Sequence, residues 1–318
     1  MTFKTYEDLG QGITRIDTGM IHEGLAALYL VGSEDEWALV ETGTQHSIAT
    51  IMALLQARGI DPMQVKYIIP THVHLDHAGG VGGLMQRLPQ ATLLVHPRGA
   101  RHMIDPAQLK AGATAVYGAE VFQQIYGDLI PVEPHRVRQM QDAEQVTLGN
   151  RTLVFYDTPG HARHHFCVHD LQSNGVFSGD TFGLAYPTLN TANGPFIMLS
   201  TTPVQFDPQA LKNSITKLLS LQPGRMYLTH YGAVDGVPAL AEQLLLQVDD
   251  YVAIARRVQA QAPLEQWEQR LVGLLTGYTV NRARRHGCTL ADDELERILA
   301  LDMKLNAQGL AVWLASAD

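Results

Sequence analysis

Residues 71–77 read Thr71-His72-Val73-His74-Leu75-Asp76-His77, so three imidazoles and one carboxylate lie within seven consecutive positions. The apolar run Val65–Ile69 comes shortly before them and predicts a short buried strand that leads into the segment. A solvated polar loop after a strand is the ordinary structural interpretation of such a segment. Four ligand-type side chains at this spacing rarely occur together by chance, so we interpret residues 71–77 as a metal-binding loop.

The spacing within this loop predicts two neighbouring metal sites. Side chains at alternate positions after a strand can converge on one point, which places His72 and His74 around one ion. Asp76 and His77 follow directly and are placed to bind a second ion nearby. Imidazole combined with carboxylate suits zinc, iron or manganese better than calcium or magnesium.

More short motifs follow in the chain, each just after a predicted strand. They read Thr158-Pro159-Gly160-His161, Phe177-Ser178-Gly179-Asp180 and Leu228-Thr229-His230-Tyr231-Gly232. Each residue taken alone also has an ordinary structural interpretation: His161 as a loop histidine, Asp180 as a turn residue at a strand end, and His230 as a core or surface histidine. Together with the His-x-His-x-Asp-His pattern, these motifs resemble those of the metallo-β-lactamase fold superfamily and occur in the same order. The resemblance covers about residues 10–235.

The resemblance implies an α/β fold, a four-layered αββα sandwich, with a dinuclear metal centre. It implies that the first metal is bound by His72, His74 and His161, that the second is bound by Asp76, His77 and His230, and that Asp180 bridges both. The expected cofactors are two divalent metal ions, zinc first, with iron or manganese as alternatives. Two cations about 3.5 Å apart lower the pKa of a bridging water and polarise a substrate oxygen. Asp76 is the expected catalytic residue, because it would also steer the proton of that water.

Four neighbouring residues are candidates for supporting the metals or contacting substrate. His165 matches the second histidine of the family's Gly-His-x-x-x-His motif, which usually orients a metal ligand through a hydrogen bond. His164 is an addition to that motif and is interpreted as supporting the ligands, facing substrate or being solvated. Glu41 stands where many relatives carry aspartate and is expected to orient a metal-binding histidine. Tyr231 is expected either to donate a hydrogen bond to substrate or to pack as a buried aromatic.

The composition narrows the class of protein. The chain has 318 residues, 46% of them hydrophobic, and a net charge of −9 without a basic stripe, which argues against nucleic-acid binding. Two cysteines, Cys167 and Cys288, cannot form a disulfide framework. The first residues lack the charged start and apolar run of a signal peptide, and no run of about 18 apolar residues would span a bilayer. We therefore expect a soluble cytoplasmic protein that acts on a small molecule and binds neither nucleic acid nor membrane.

The hydrophobic pattern predicts a catalytic domain over residues 1–236 and a helical extension over residues 237–318. In the first domain, short apolar runs predict strands at Ala26–Val31, Trp37–Glu41, Val65–Ile69, Thr92–His96, Gln145–Leu148, Thr152–Asp157, Phe166–His169, Gly175–Ser178 and Met226–Thr229. Helices are predicted from the N-cap Ser47 to Gly59, from Gly80 to Arg87, near Glu120–Tyr126 and over Asp207–Leu219. In the extension, apolar residues at helical spacing predict three or four helices. We expect these helices to have one of three roles: to brace the core, to form the contact of a homodimer, or to cap the metal cleft.

The metal site does not by itself name the substrate, because this fold supports many chemistries. We expect hydrolysis of a carboxylic ester, a lactone or a thioester, with residues 99–135 and 183–203 forming apolar walls beside the metals or serving as structural insertions. The alternatives are a phosphodiester or phosphotriester hydrolase, and a metal-containing binding or regulatory protein with little turnover. An iron-dependent oxidoreductase is a third alternative.

Overall fold

The computed structural model describes residues 5–201 and 204–316. The chain forms two compact units. The first comprises Met1–Asp157, His164–Gly179 and Gly224–Ala233, and the second comprises Thr158–Arg163, Asp180–Pro223 and Val234–Asp318. The predicted division into domains after residue 236 stays a prediction.

A mixed sheet of the first unit positions the segment 71–77. In sheet order its strands are β1 (Tyr6–Gly10), β2 (Ile13–Asp17), β3 (Ala27–Ser33), β4 (Glu36–Val40), β5 (Val65–Ile69), β6 (Thr92–Val95) and β7 (Val137–Gln139). Neighbours from β1 to β4 pair antiparallel, and neighbours from β4 to β7 pair parallel. Val40 lies opposite Ile69, so the carboxyl ends of β4 and β5 meet at the same end of the sheet.

A second sheet packs face to face with the first. It has the order β13-β12-β11-β10-β9-β8 and consists of β8 (Gln145–Leu148), β9 (Arg151–Asp157), β10 (Phe166–Asp170), β11 (Gly175–Gly179), β12 (Arg225–Leu228) and β13 (Gly232–Val234). Buried side chains of both sheets form one core cluster, which includes Tyr29 and Val40 from the first sheet and Phe155, Phe166 and Phe177 from the second. Their interdigitation holds the two sheets together.

Helices cover the other face of the first sheet. They are α1 (Ile48–Ala57), α2 (Leu75–Ala78), α3 (Val81–Arg87), α4 (Pro97–Ile104), α5 (Ala107–Tyr117) and α6 (Ala119–Tyr126). Ile51 on α1 and Leu84 on α3 share a buried cluster with Leu39 and Ile68 of the sheet. Because both faces of this sheet are covered, β3 is buried along its whole length.

The second unit contains α7 (Pro208–Ser220), α8 (Val237–Gln261), α9 (Trp267–Arg285) and α10 (Asp292–Ser316). Each of the last three helices buries an apolar stripe, and α10 packs against both α8 and α9. The predicted C-terminal helical extension is therefore confirmed over the residues described up to 316.

The predicted strands are all present, with bounds within two residues of those expected. The prediction of a loop through residue 77 was wrong after His74, because Leu75–Ala78 form the short helix α2 with His74 as its N-cap. The helix α1 was predicted correctly, but its expected side-chain cap was wrong. The Ser47 hydroxyl donates to Thr18 O at 3.0 Å, and Thr44 caps the preceding 3₁₀ turn instead.

Candidate metal centre

The candidate ligands of the first unit lie at the carboxyl ends of strands. His72 and His74 follow β5, Asp76 and His77 lie on α2, and His230 comes two residues after β12. The backbone N–H of Ala27 on β3 donates to Thr229 O at 2.8 Å, so the end of β12 is held against the first sheet. The chain therefore brings five of the predicted ligands to one end of the paired sheets.

Glu41 lies at the end of β4 and accepts hydrogen bonds from three parts of this cluster. Its Oε1 accepts from Thr71 Oγ1 at 2.5 Å, from His77 Nδ1 at 2.9 Å and from Thr229 Oγ1 at 3.0 Å. Its Oε2 accepts from Thr71 N at 3.0 Å. Glu41 has a φ of +65°, which side chains other than glycine rarely adopt, and these bonds offset the cost of that conformation. The buried carboxylate thus fixes residues from β5, α2 and β12 around one point.

Three histidines use Nδ1 for a protein contact and so turn Nε2 towards the cluster. His77 Nδ1 donates to Glu41, and His230 Nδ1 donates to Leu25 O at 2.8 Å. His72 Nδ1 lies 3.1 Å from Thr71 Oγ1, whose own proton goes to Glu41. A hydrogen bond at one ring nitrogen selects the tautomer in which the other nitrogen carries the free lone pair, as metal binding requires.

The Nε2 atoms of His77 and His230 and one oxygen of Asp76 have the spacing of metal ligands. Asp76 Oδ2 lies 3.2 Å from His230 Nε2 and 3.4 Å from His77 Nε2, and the ligand atoms all lie within 4.8 Å of one another. Zinc–ligand lengths of about 2.0–2.2 Å at tetrahedral angles place neighbouring ligand atoms about 3.3–3.6 Å apart. The donor set and its spacing therefore fit a divalent metal ion. His72 Nε2 and His74 Nδ1 form a second close pair, 2.8 Å apart.

The electrostatics of Asp76 favour its ionised form. Burial opposes the charge, but His77 and His230, when their rings carry a positive charge, hold the pKa of Asp76 well below its usual range. A carboxylate that is already ionised can bind a cation without first losing a proton.

The remaining predicted ligands, His161 and Asp180, lie in the second unit and face each other. His161 follows β9, and Asp180 is the residue directly after β11. His161 Nε2 lies 3.5 Å from Asp180 Oδ2, which is again the spacing of two ligands on one ion. Ser200 Oγ contacts both residues, at 3.4 Å from His161 Nδ1 and 3.4 Å from Asp180 Oδ2.

His164 and His165 lie beside the ligands of the first unit. The ring of His165 is fully buried and stacks on His72 with ring centroids 4.8 Å apart. The ring of His164 lies parallel to His72 at 6.1 Å and edge-on to His74 at 5.5 Å. Gly179 has a φ of +48°, and a Cβ there would overlap Thr71 Oγ1 and His165 Nε2. The glycine before Asp180 thus allows the backbone to pass close to this layer of side chains.

Tyr231 is buried, and its hydroxyl donates to Asp17 Oδ2 at 3.0 Å. The Arg15 guanidinium lies 4.5 Å from the centre of its ring. Burial raises the pKa of Tyr231, so its hydroxyl stays protonated. Of the two interpretations of Tyr231, this geometry favours the packed aromatic.

The apolar residues expected to form a substrate wall after Asp180 are packed inside the protein. Tyr186, Phe196, Ile197 and Met198 are each at most 5% exposed. This burial favours the structural-insertion interpretation of the predicted range 183–203, of which residues 202 and 203 lie outside the described residues.

Sequence reasoning gave no role to Thr71, Thr229 or Ser200. Thr71 directly precedes the candidate ligand His72, and Thr229 directly precedes the candidate ligand His230. This adjacency in the sequence could have identified both threonines. Ser200 is far from both of its partners in sequence, and only the fold brings it to them.

The match to a known family agrees with this geometry. A family model described as the Metallo-beta-lactamase superfamily matches residues 23–230, a range that contains every predicted metal ligand. The chain belongs to the metallo-beta-lactamase superfamily. The fold class expected from the sequence, an αββα sandwich of this family with a helical extension, is therefore confirmed.

Several superfamily proteins are similar in sequence. The metallo-beta-lactamase fold-containing protein ST1585 of Sulfurisphaera tokodaii is 27% identical over 243 residues, covering 75% of this chain and 84% of that protein. Human acyl-coenzyme A thioesterase MBLAC2 is 27% identical over 199 residues, 55% of this chain and 65% of the thioesterase. The N-acyl homoserine lactonase AttM of Agrobacterium fabrum is 32% identical over 111 residues, 35% of this chain and 38% of the lactonase. This chain thus spans less than two thirds of the thioesterase and of the lactonase.

Solved structures of the superfamily share the fold. The structure of ST1585 matches with a TM-score of 0.62 at 26% identity, covering 75% of this chain and 86% of that one. The family protein TTHA1429 from Thermus thermophilus matches with a TM-score of 0.67 at 20% identity, covering 98% and 95%. The match to TTHA1429 extends over the C-terminal helices. At 20% identity it shows only that the two proteins share a fold.

Within residues 5–201 and 204–316, no helix combines the length and the apolar character needed to cross a lipid bilayer.

The superfamily includes hydrolases, and clusters of histidine and aspartate in this chain are able to hold a metal ion.

Proposed function

We propose that this protein is a metal-dependent hydrolase that cleaves a carboxylic ester, a lactone or a thioester of a small molecule. One observation carries the proposal: the ligand atoms of Asp76, His77 and His230 lie within 4.8 Å of one another, with Asp76 Oδ2 3.4 Å from His77 Nε2 and 3.2 Å from His230 Nε2. The hydrogen bonds at Nδ1 of the two histidines support it, because they present Nε2 to the ion. The names of two relatives, a thioesterase and a lactonase, support an acyl carbonyl as the reacting group.

The proposed centre uses the ligands expected from the sequence. In it, His72, His74 and His161 would hold one divalent ion, Asp76, His77 and His230 would hold a second, and Asp180 would contribute to both, with zinc as the expected metal. When bound, the two ions lower the pKa of a water and polarise the substrate carbonyl. Asp76 would hold an ion through Oδ2, the oxygen that lies near His77 and His230, which would leave its other carboxylate oxygen to accept a proton from a water. Glu41 keeps His77 in the tautomer that can act as a ligand.

The first test is a substrate panel for the purified, metal-loaded protein. It compares esters, thioesters, lactones and phosphodiesters for the natural sequence, for His230→Ala and for the control His135→Ala. His135 is a suitable control because its side chain is 76% exposed. We expect cleavage of an acyl substrate that falls by at least about 100-fold in His230→Ala and is unchanged in His135→Ala.

Three results would contradict the proposal. Activity confined to phosphodiesters would indicate a phosphoryl hydrolase. A tightly held metal and a bound small molecule without turnover on any substrate would indicate a binding or regulatory protein. Iron by elemental analysis with oxygen-dependent turnover would indicate an oxidoreductase. The expected cytoplasmic location and homodimer stay predictions.

A further inference from the structure

The segment 197–201 of the second unit is held by side chains from the C-terminal helices. Gln247 on α8 accepts from Leu199 N at 3.1 Å and donates to Ile197 O at 3.3 Å. Arg282 on α9 donates to Ile197 O at 3.2 Å. These contacts satisfy backbone groups of a buried, irregular segment that has no strand partner at those atoms.

Asn306 on α10 makes the densest set of these contacts. Its Oδ1 accepts from Thr201 N at 2.6 Å and from Thr201 Oγ1 at 3.1 Å, and its Nδ2 donates to Leu199 O at 3.0 Å. The backbone oxygen of Asn306 lies 3.0 Å from Thr201 Oγ1 and shares its single hydroxyl proton with Asn306 Oδ1. Asn306 and Gln247 are each only 1% exposed. A buried amide that lost these partners would be costly, so each amide fixes the segment in one position.

Ser200 lies between the two residues that Asn306 holds, and it points at the ligand pair of this unit. Its side chain is 3% exposed, and its Oγ lies 3.4 Å from both His161 Nδ1 and Asp180 Oδ2. One hydroxyl can accept one hydrogen bond and donate another. His161 Nδ1–H therefore donates to Ser200 Oγ, and the Ser200 proton goes to Asp180 Oδ2. This arrangement leaves the lone pair of His161 on Nε2, the nitrogen that faces Asp180.

We infer that Ser200 is a positioning residue for the ligands His161 and Asp180, and that Asn306 and Gln247 of the helical extension set its place. Ser200 Oγ accepts the Nδ1 proton of His161, as Glu41 accepts that of His77 and the Leu25 carbonyl accepts that of His230. The helical extension is thereby a structural support of the pair His161 and Asp180. This inference rests on the proposed function, in which His161 and Asp180 bind metal.

The test compares Ser200→Ala with Thr279→Val. Thr279 is a matched control, because it also has a buried hydroxyl in the second unit, in contact with Met303 Sδ at 3.3 Å. Zinc affinity is measured by competition with a chromophoric chelator, the ligand geometry by the visible absorption of the cobalt(II)-loaded protein, and stability by thermal unfolding of the metal-free protein. We expect Ser200→Ala to weaken zinc binding by about 10- to 100-fold and to change the cobalt spectrum. Thr279→Val should leave affinity and spectrum unchanged.

Asn306→Ala and Ser200→Thr complete the test. We expect Asn306→Ala to reproduce the spectral change of Ser200→Ala, and Ser200→Thr, which keeps the hydroxyl, to restore the affinity at least partly. If Asn306→Ala does not fold, Gln247→Ala takes its place. Natural affinity and spectrum in Ser200→Ala would overturn the inference. These readouts need no turnover, so failure of the proposed substrate class would be seen separately, in the substrate panel.

Discussion

Glu41 is the residue through which the histidines of the first unit are most directly oriented. A carboxylate accepts at both oxygens, and here both are used, by Thr71, His77 and Thr229. Glu41→Gln keeps the size but replaces one acceptor oxygen with an NH₂ group that would face a donor. We expect zinc affinity to fall by about 10- to 100-fold, measured by chelator competition. The exposed Glu133→Gln serves as the control, and an unchanged affinity in Glu41→Gln would show that Glu41 is only a packing residue.

A second prediction compares the metal content of variants at Asp180 and at His164. The proposed shared position of Asp180 predicts that Asp180→Ala lowers the occupancy of both metals. His164 lies against the rings of His72 and His74 and is not among the proposed ligands, so His164→Ala should have a milder effect. Elemental analysis after dialysis measures both. The ligand assignment would be wrong if Asp180→Ala kept two metals and full activity.

Residues of this site differ in how far they could be predicted from the sequence. The candidate ligands of the first unit could be selected from the sequence, because they lie within a seven-residue segment after a strand or next to a strand end. Ser200 was not, because it lies 39 positions from His161 and 20 from Asp180. Glu41 was predicted as an orienting residue through the family resemblance, whereas its hydrogen bonds to Thr71 and Thr229 depend on how three strands meet.

Among elements, β9 and β10 are joined by a buried ion pair. Arg151 on β9 donates to Asp170 at the end of β10 and to Gln11 O, and both charged side chains are at most 1% exposed. Asp170 also accepts from Ser173 N in the turn to β11. Asp170→Ala would leave a buried guanidinium without its counter-charge, so we expect the free energy of unfolding to fall by about 3–5 kcal/mol.

Denaturant unfolding of the metal-free protein measures this loss. Lys66→Ala is the control, since Lys66 and Glu36 form a 3.7 Å pair in which both side chains are about 40% exposed. Removing that pair should change the free energy by about 0–1 kcal/mol. A loss below about 1 kcal/mol in Asp170→Ala would mean that water or a neighbour compensates the Arg151 charge.

Two of the helices that sequence analysis missed, α2 and α4, have weak local signals. The helix α2 has only four residues, too few for a hydrophobic period to show. The helix α4 begins with the favourable Pro97 at N1, but its cap is His96 Nδ1, which accepts from Arg98 N, and histidine is not among the usual capping residues. The long helices α8, α9 and α10 were predicted because their apolar stripes repeat over several turns.

At the scale of the whole molecule, the proposed metal centre predicts that bound metal stabilises the folded chain. A ligand that binds the folded chain and not the unfolded chain adds RT ln(1 + [L]/Kd) to its stability, about 2.7 kcal/mol at a free zinc concentration of 100 Kd. The proposal therefore predicts that removing metal with a chelator lowers the midpoint of thermal unfolding, and that added zinc restores it. His230→Ala should lose most of this zinc-dependent shift, and the exposed-site control His135→Ala should keep it. A midpoint that is the same with chelator and with zinc in the natural protein would contradict the proposed metal centre.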